Sequence, residues 1–347
     1  MYDNIKSAIV AGADKEAFNF YLRELRNNVN IKKTMSGDRQ EVYMGRIYKE
    51  LDAVDALDKS KTKGVPYIQL RILYLPKEDI MEIKIRNSIR KFYFGADSMQ
   101  DLSKTDLEDV LDILADKLWI SKECIKDFIN YKIEIGVTNE HERNFNMFML
   151  SVIDHKYLKD QLRVNSDTVS HMGDNLTVSC YNKGEEVKNN QKLKKKLNLP
   201  EDVYYLRSEI KIHKVSGVKF ALDNLRTIGD LLNNHERAYD FMIRQLQYIK
   251  FIDCISPRVA EHVLLSQKLN KDNKNKNSEF HDLIRFLGVE YIGWPKLREM
   301  CKIFTNKSSS TINKYGAIET KFRQLQNPTY RRIYFDKLKK KKNEIMK

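Results

Sequence analysis

Short segments in which apolar and polar residues alternate recur through about the first two-thirds of the chain, and they limit its fold more than any other feature. A period of two is typical of strands, whose successive side chains point to opposite faces. Two such segments, Thr168–Met172 and Leu176–Tyr181, flank Gly173, Asp174 and Asn175, residue types that tolerate the positive φ of a tight turn. They predict a β-hairpin and therefore an antiparallel sheet.

Other segments show either this two-residue period or the period of about 3.6 residues that is typical of helices. Further strands are predicted at Glu41–Tyr48, Tyr67–Leu75, Asn130–Val137 and Val203–His213, with two more inside Ile80–Phe94, broken near Asn87. Helical spacing predicts helices at Asp14–Asn27, Leu102–Leu118, Phe145–Leu162, Ile228–Leu232 and Ala238–Ile252. The fold class predicted is therefore α+β, a central antiparallel sheet with flanking helices.

The pattern becomes mainly helical in the last third of the chain. We predict an α+β domain over residues 1–232 and a helical region over 233–347 that ends in a basic tail. The polar run Asn270–Ser278 is a predicted linker. Helices at Glu279–Thr305 and Thr311–Leu325 would form a helix-turn-helix or an ordinary bundle, and the lack of a short glycine-containing turn favours the bundle.

A formal charge of +14 points to an anionic partner, and nucleic acid is the expected one because Lys and Arg neutralise phosphates. A membrane surface is the competing anion, but no basic amphipathic helix adjoins an apolar anchor. No apolar run approaches the roughly 18–20 residues that span a bilayer. The start lacks a signal-peptide core, and the four cysteines lack zinc spacing. We expect a cytoplasmic protein without membrane contact.

One strand end carries a pattern that suits phosphoryl chemistry. In the segment Leu176–Glu186, LTVSCYNKGEE, strand geometry would place Tyr181 and Lys183 on one face, a phenol beside an ammonium. Attack by a phenol on a phosphodiester would leave a phosphotyrosine, and a divalent cation would assist it. Mg²⁺ or Mn²⁺ prefers oxygen ligands. The candidate ligands are Glu209, Glu134 and Glu185, with Glu186 beside them.

Each of these residues also has a purely structural interpretation. Tyr181 could be a packing aromatic, and Glu209 could pair with Arg207 on its own strand. Glu134 could likewise pair with Lys132.

The predicted DNA contacts are Arg90 and Lys91 beside an aromatic run, Arg207, and the lysine-run residues Lys194 and Lys195. The lysine run could equally be a solvated surface.

Four motifs in order resemble the filamentous-phage gene-II/X-like rolling-circle replication initiators of phages and plasmids. The chain matches a "KF-x-x-G" element within Met81–Gly95, MEIKIRNSIRKFYFG, and then an acidic helix. YKIEIG at Tyr131–Gly136 matches a strand with an acidic residue. CYNKGEE at Cys180–Glu186 matches the "Y-x-K-x-x-E" element, and LRSEIKI at Leu206–Ile212 matches the "R-x-E" strand.

The resemblance implies a site-specific, metal-dependent enzyme that nicks and rejoins origin DNA through a 5′-phosphotyrosine. It implies Tyr181 as nucleophile, Lys183 as its cationic neighbour, and double- and single-stranded origin DNA, host helicase and host polymerase as partners. One departure is the lack of the His-hydrophobe-His metal motif that many such initiators carry. The rival interpretations are a non-catalytic origin-binding or copy-control protein and, less favoured for want of a histidine triad, a mobilisation relaxase. Tyr204 and Tyr205 are possible second nucleophiles or packing residues.

Overall fold

The chain folds as α+β, with a large antiparallel sheet and helices packed around it. The computed structural model describes residues 2–346 except 38, 97, 143–144, 146–147, 159, 165–167, 190–198, 201, 218–224, 252–255, 257, 260–261, 263–277, 293–294, 296–297, 299–307 and 326–327. Its strands are β1 Tyr2–Gly12, β2 Ile31–Ser36, β3 Glu41–Ile47, β4 Ile68–Leu75, β5 Ile80–Ser88, β6 Ile129–Glu142, β7 Val152–His155, β8 Asp160–Val164, β9 Thr168–Met172, β10 Leu176–Asn182, β11 Val203–Ile212 and β12 Ile249–Phe251.

Helices fill most of the connections between the strands. They are α1 Lys15–Asn28, α2 Lys59–Thr62, α3 Ile89–Phe94, α4 Lys104–Leu118, α5 Lys122–Lys126, α6 Phe148–Ser151, α7 Lys183–Asn189, α8 Ile228–Asn233, α9 His235–Gln247, α10 Ser278–Ile292, α11 Ser308–Leu325 and α12 Tyr330–Ile345. No helix among the described residues is both long and apolar enough to cross a membrane.

Ten strands form one sheet in the order β2-β3-β4-β5-β1-β6-β11-β10-β9-β8, so the first strand lies near its middle. Strand β4 has a strict burial alternation, with Ile68, Leu70, Ile72 and Tyr74 fully buried. Helix α1 covers that side, and its Phe18 stacks on Tyr74 with ring centroids 4.1 Å apart. One face of the sheet thus bears the core, and the other bears polar side chains.

The main core reaches into the C-terminal region. Tyr239 of α9 and Tyr334 of α12 are fully buried in it, and the Tyr334 hydroxyl donates to Ser208 Oγ at 2.7 Å. Helices α10 and α11 pack on each other through Phe286 and Phe322, which stack at 5.2 Å in a separate small core. The predicted linker lies outside the described residues except for Ser278, where α10 begins.

Most predicted elements are confirmed, including the hairpin of β9 and β10 and the helix α4, which Ser103 begins with a capping box. Three predictions are wrong. Residues 89–94 form helix α3, not a second strand, because Ser88 caps it after Asn87 adopts φ 118°. The helix predicted for Phe145–Leu162 is only α6, since β-branched residues then start β7. The helix predicted to reach Ile252 ends at Gln247, and β12 follows.

Candidate metal and tyrosine site

Three carboxylates from adjacent strands meet on the polar face of the sheet. Asp3, Glu134 and Glu209 lie on β1, β6 and β11, and one oxygen from each lies within 4.8 Å of the others. All three are buried, at 5%, 6% and 2% exposure. Buried carboxylates need a cation, a proton or hydrogen-bond donors, so the cluster requires compensation.

Arg207 supplies much of that compensation. Its guanidinium is fully buried and lies 2.8 Å from Asp3, 3.2 Å from Asp101 and 3.3 Å from Glu209. Thr138 Oγ1 accepts a further hydrogen bond from Arg207 at 3.0 Å. The predicted Arg207–Glu209 pair therefore exists. The role of Arg207 as a DNA contact stays a prediction, for a side chain that is fully buried.

Gly136 makes room for this arrangement. A Cβ at that position would lie 2.8 Å from Glu209 Cβ and 2.9 Å from Arg207 Nη2. Both contacts are shorter than packed carbon and nitrogen atoms allow. A glycine is therefore needed on β6 for Arg207 and Glu209 to lie side by side against it.

Asp3 was not singled out from the sequence, yet its carboxylate contacts both buried arginines, Arg90 and Arg207. Ser88 donates a hydrogen bond to it, and the Arg90 Nε lies 3.5 Å from its carboxylate. Burial alone would raise the pKa of Asp3, but Arg207 and Arg90 outweigh it and hold that pKa well below its usual range. Asp3 is thus charged at every physiological pH.

Arg90, the second arginine predicted as a DNA contact, is buried as well. Its side chain is only 1% exposed, and it donates to the carbonyl oxygens of Ser98 at 2.7 Å and Gln100 at 3.3 Å. Lys91, its neighbour, is half-buried and near enough to Asp3 to help lower the pKa of that carboxyl. The predicted contacts Lys194 and Lys195 lie outside the described residues.

The pKa values of Glu134 and Glu209 are shifted in opposite directions. Burial, with the charges of Glu209 and Asp3, raises the pKa of Glu134 to about 7. Burial also opposes ionisation of Glu209, but Arg207 and Lys211 reverse this and lower the pKa of Glu209. Lys211 Nζ lies 2.8 Å from Glu209, and Asn4 donates to Glu134 at 3.0 Å. Glu134 is the carboxylate that most needs an added positive charge.

Tyr181 adjoins the cluster directly. It lies opposite Arg207 in the pairing of β10 with β11, and its hydroxyl donates to Glu209 Oε2 at 3.3 Å. Burial raises the pKa of Tyr181 far above its usual value, and the charge of Glu209 adds to the effect while Arg207 opposes it. The phenol is therefore neutral unless further positive charge reaches the cluster.

Lys183 lies close to Tyr181, but not as strand geometry predicted. The strand ends at Asn182, and Lys183 begins helix α7, with its Nζ 5.9 Å from the centroid of the Tyr181 ring. That Nζ is 2.7 Å from Glu186, and only 4% of the lysine side chain is exposed. Burial lowers the pKa of Lys183, with Glu186 opposing the shift.

The third predicted ligand, Glu185, is not part of the carboxylate group that the described residues form. It lies on α7, is 41% exposed, and pairs with Lys188 at 3.2 Å. The chain becomes helical at Lys183, so this residue does not continue the strand on which the prediction had placed it. Asp3 takes its place in the group.

The three carboxylates suit a hard divalent cation. Mg²⁺ or Mn²⁺ binds carboxylate oxygens, and for Mg²⁺ a bond of about 2.1 Å would let one ion contact oxygens up to about 4.2 Å apart. The three carboxylate oxygens lie within 4.8 Å of one another, which is slightly beyond that distance. Burial and the charges of Glu209 and Asp3 raise the pKa of Glu134, so a bound cation would favour its ionised form.

Comparison with known proteins gives no family. No protein-family model matches the chain, and no curated protein matches it. Among solved structures, the di-domain ARO/CYC StfQ from the steffimycin biosynthetic pathway is 8% identical, with 70% of this chain and 96% of that chain covered at a TM-score of 0.19. The di-domain ARO/CYC BexL from the BE-7585A biosynthetic pathway is 9% identical, with 70% and 95% covered at 0.16. Scores this low carry no argument about fold or function.

Proposed function

We propose that the protein is a rolling-circle replication initiator of a phage or plasmid, which nicks and rejoins origin DNA through a 5′-phosphotyrosine on Tyr181. The observation that carries this proposal is the hydrogen bond from the Tyr181 hydroxyl to Glu209, inside a buried group of three carboxylates. A phenol held against potential metal ligands suits tyrosyl phosphoryl transfer, in which a base or a metal ion activates the nucleophile. The motifs that resemble gene-II/X-like initiators support the same assignment.

The residues divide the chemistry among them. Tyr181 Oη attacks the phosphorus and forms the phosphotyrosine bond, while the bond from phosphorus to the 3′ oxygen breaks. The phenolic proton passes to Glu209, which already accepts its hydrogen bond, and the leaving 3′ oxygen takes a proton from solvent. Arg207 and Lys183 place positive charge beside the phenolate.

Asp3, Glu134 and Glu209 would hold Mg²⁺ or Mn²⁺. When bound, such an ion supplies positive charge that favours the phenolate and stabilises charge on the phosphate oxygens. It would also offset the burial and the repulsion from Glu209 and Asp3 that together raise the pKa of Glu134. The rejoining step reverses the first, with a 3′ hydroxyl attacking the phosphotyrosine.

A second candidate, a non-catalytic origin-binding or copy-control protein, is favoured by one observation. Arg207 contacts three carboxylates at once, those of Asp3, Asp101 and Glu209, so the cluster could be a structural ion-pair network in the sheet. A binding protein would need the basic charge of the chain but no reactive phenol.

Supercoiled DNA that carries the replicon's own origin, incubated with Mg²⁺ or Mn²⁺, tests the choice. The proposal expects conversion to open circles that depends on the metal and is lost in Tyr181→Phe. Origin DNA that is retarded in a gel but remains uncut with either metal would favour the binding protein instead.

A further inference from the structure

The polar face of the sheet extends well beyond the carboxylates, and basic side chains recur on it from β6 to β2. Residues directly opposite each other in an antiparallel pair lie on the same face, so the strand register defines its members. One row across the strands consists of Arg46, Gln69, Arg86, Lys6 and Lys132. The next row consists of Lys32, Met44, Arg71, Lys84 and Ala8. The seven cations of these rows are called the basic track below.

The basic track begins at the tyrosine site. Lys132 and Glu134 are two residues apart on β6 and therefore share a face. Glu134 lies opposite Lys211 of β11. Arg207 is on β11 as well, and Tyr181 of β10 lies opposite it. Tyr181, the carboxylates and the basic track consequently occupy one continuous surface.

The fold tolerates like charges at several positions of this surface. Lys6 lies directly opposite both Lys132 and Arg86, and Arg71 lies opposite Lys84. Like charges at directly opposed positions destabilise a sheet. Lys84 is paired with Glu82 at 2.6 Å, but within the described part of the chain no carboxylate forms a salt bridge with Lys6, Arg71 or Lys132. An external anion would relieve this repulsion.

A basic cavity of about 430 Å³ marks the far end of the basic track. It is lined by Lys32, Arg46 and Lys59, and the described residues around it include no carboxylate. From β6 to β2 the basic track crosses six neighbouring strands, which span roughly 24 Å at about 4.8 Å between strands. A polyanion, rather than a single small anion, matches a surface of that length.

We infer that the basic track binds the sugar–phosphate backbone of a single DNA strand and leads it from Tyr181 to the basic cavity. The inference deepens the proposed function and rests on it for the scissile phosphate, which must approach a carboxylate that is only 2% exposed. A flexible single strand can follow a twisted sheet, and its unstacked bases can pack on Met44 and Leu73, which share this face.

The test compares two triple variants in a Tyr181→Phe background without divalent metal, so that binding is measured apart from cleavage. The first carries Lys6→Gln, Arg71→Gln and Arg86→Gln on the basic track. The control carries Arg23→Gln, Arg26→Gln and Lys104→Gln, exposed cations of α1 and α4 with the same total charge. Fluorescence anisotropy with a labelled single-stranded oligonucleotide gives the dissociation constant over a series of salt concentrations.

Three lost phosphate contacts should reduce the slope of log affinity against log salt by about 2, at about 0.7 per contact on a single strand. The control variant should keep the parental slope. Equal slopes for both variants would overturn the inference, as would a loss of binding confined to duplex DNA or to vesicles of anionic lipid. A protein that fails to nick yet binds single strands through the basic track would refute the proposed function and leave this inference standing.

Discussion

The Tyr181 hydroxyl and the Glu209 carboxylate are hydrogen-bonded at 3.3 Å across neighbouring strands, and the same Glu209 oxygen accepts from Arg207. This relationship gives the phenol both a proton acceptor and a nearby guanidinium. It also makes the phenol sensitive to the charge of the carboxylate cluster, because Glu209 helps to raise the pKa of Tyr181.

Glu134→Gln should change how the stability of the protein depends on pH. In the folded state the pKa of Glu134 is raised to about 7 from its usual value near 4.5, so the folded state holds the proton more tightly than the unfolded state. The contribution of Glu134 to the free energy of unfolding of the wild type is therefore greatest when the pH is below the usual pKa, and it falls as the pH rises to about 7. The cost above pH 7 is on the order of 3 kcal/mol.

Urea unfolding at pH 5 and pH 8 checks this directly. The amide introduced by Glu134→Gln carries no charge, so the variant should be stabilised relative to wild type at pH 8 and much less so at pH 5. A difference between variant and wild type that is the same at both pH values would show that Glu134 titrates normally.

Metal binding should depend on the cluster and not on helix α7. We expect Glu134→Gln to weaken Mn²⁺ binding about tenfold or more, since it removes one of three charged oxygen ligands. Glu185→Gln removes an exposed carboxylate outside the cluster and should leave binding unchanged. Mn²⁺ electron paramagnetic resonance measures both without any activity assay, and equal affinities for the two variants would argue against the site.

Gly136→Ala should destabilise the protein by about 1–3 kcal/mol, because its Cβ would press on Glu209 and Arg207. Gly12→Ala on β1 is the matched control, since a Cβ there meets nothing within 4 Å. Urea unfolding of both variants gives the comparison. If Gly136→Ala were as mild as its control, Arg207 and Glu209 could not be packed against Gly136 as described.

Lys183→Gln should slow nicking by about 10- to 100-fold, because the ammonium lies beside the ring that must bear negative charge. Lys188→Gln removes a lysine from the same helix that is 49% exposed and pairs with Glu185, so its nicking rate should match wild type. Rates from single-turnover cleavage of origin DNA decide the matter. Similar rates for both variants would leave Lys183 with a structural role only.

The sequence predicted the hairpin and the R-x-E strand, because period-two patterns report strand faces directly. It did not predict β1 as a central strand. Tyr2, Ile5 and Ala8 are its buried apolar residues, but irregular pairing between Tyr2 and Ile5 breaks the alternation and hides Asp3. A pattern based on strict alternation could not have found that carboxylate.

The basic residues show a different limit of sequence reasoning. Arg90 and Arg207 resemble surface cations in the sequence, yet both are buried and lie against Asp3, which is distant from them in the sequence. Their burial depends on partners brought together by the tertiary fold. Conversely, Lys6, Arg71 and Lys132 are unremarkable in the sequence, and only the strand register places them on one face.

The most direct test of the account is covalent capture of cleaved DNA on Tyr181. A single-stranded origin oligonucleotide, labelled on the 3′ side of the nick, would be incubated with Mn²⁺ and the protein, and the products separated under denaturing conditions. The account predicts label on the wild-type protein and on Tyr131→Phe, a phenol on β6 that is 44% exposed, and none on Tyr181→Phe. Label that persists on folded Tyr181→Phe would contradict the assignment of the nucleophile, and its absence from every protein would contradict tyrosyl transfer altogether.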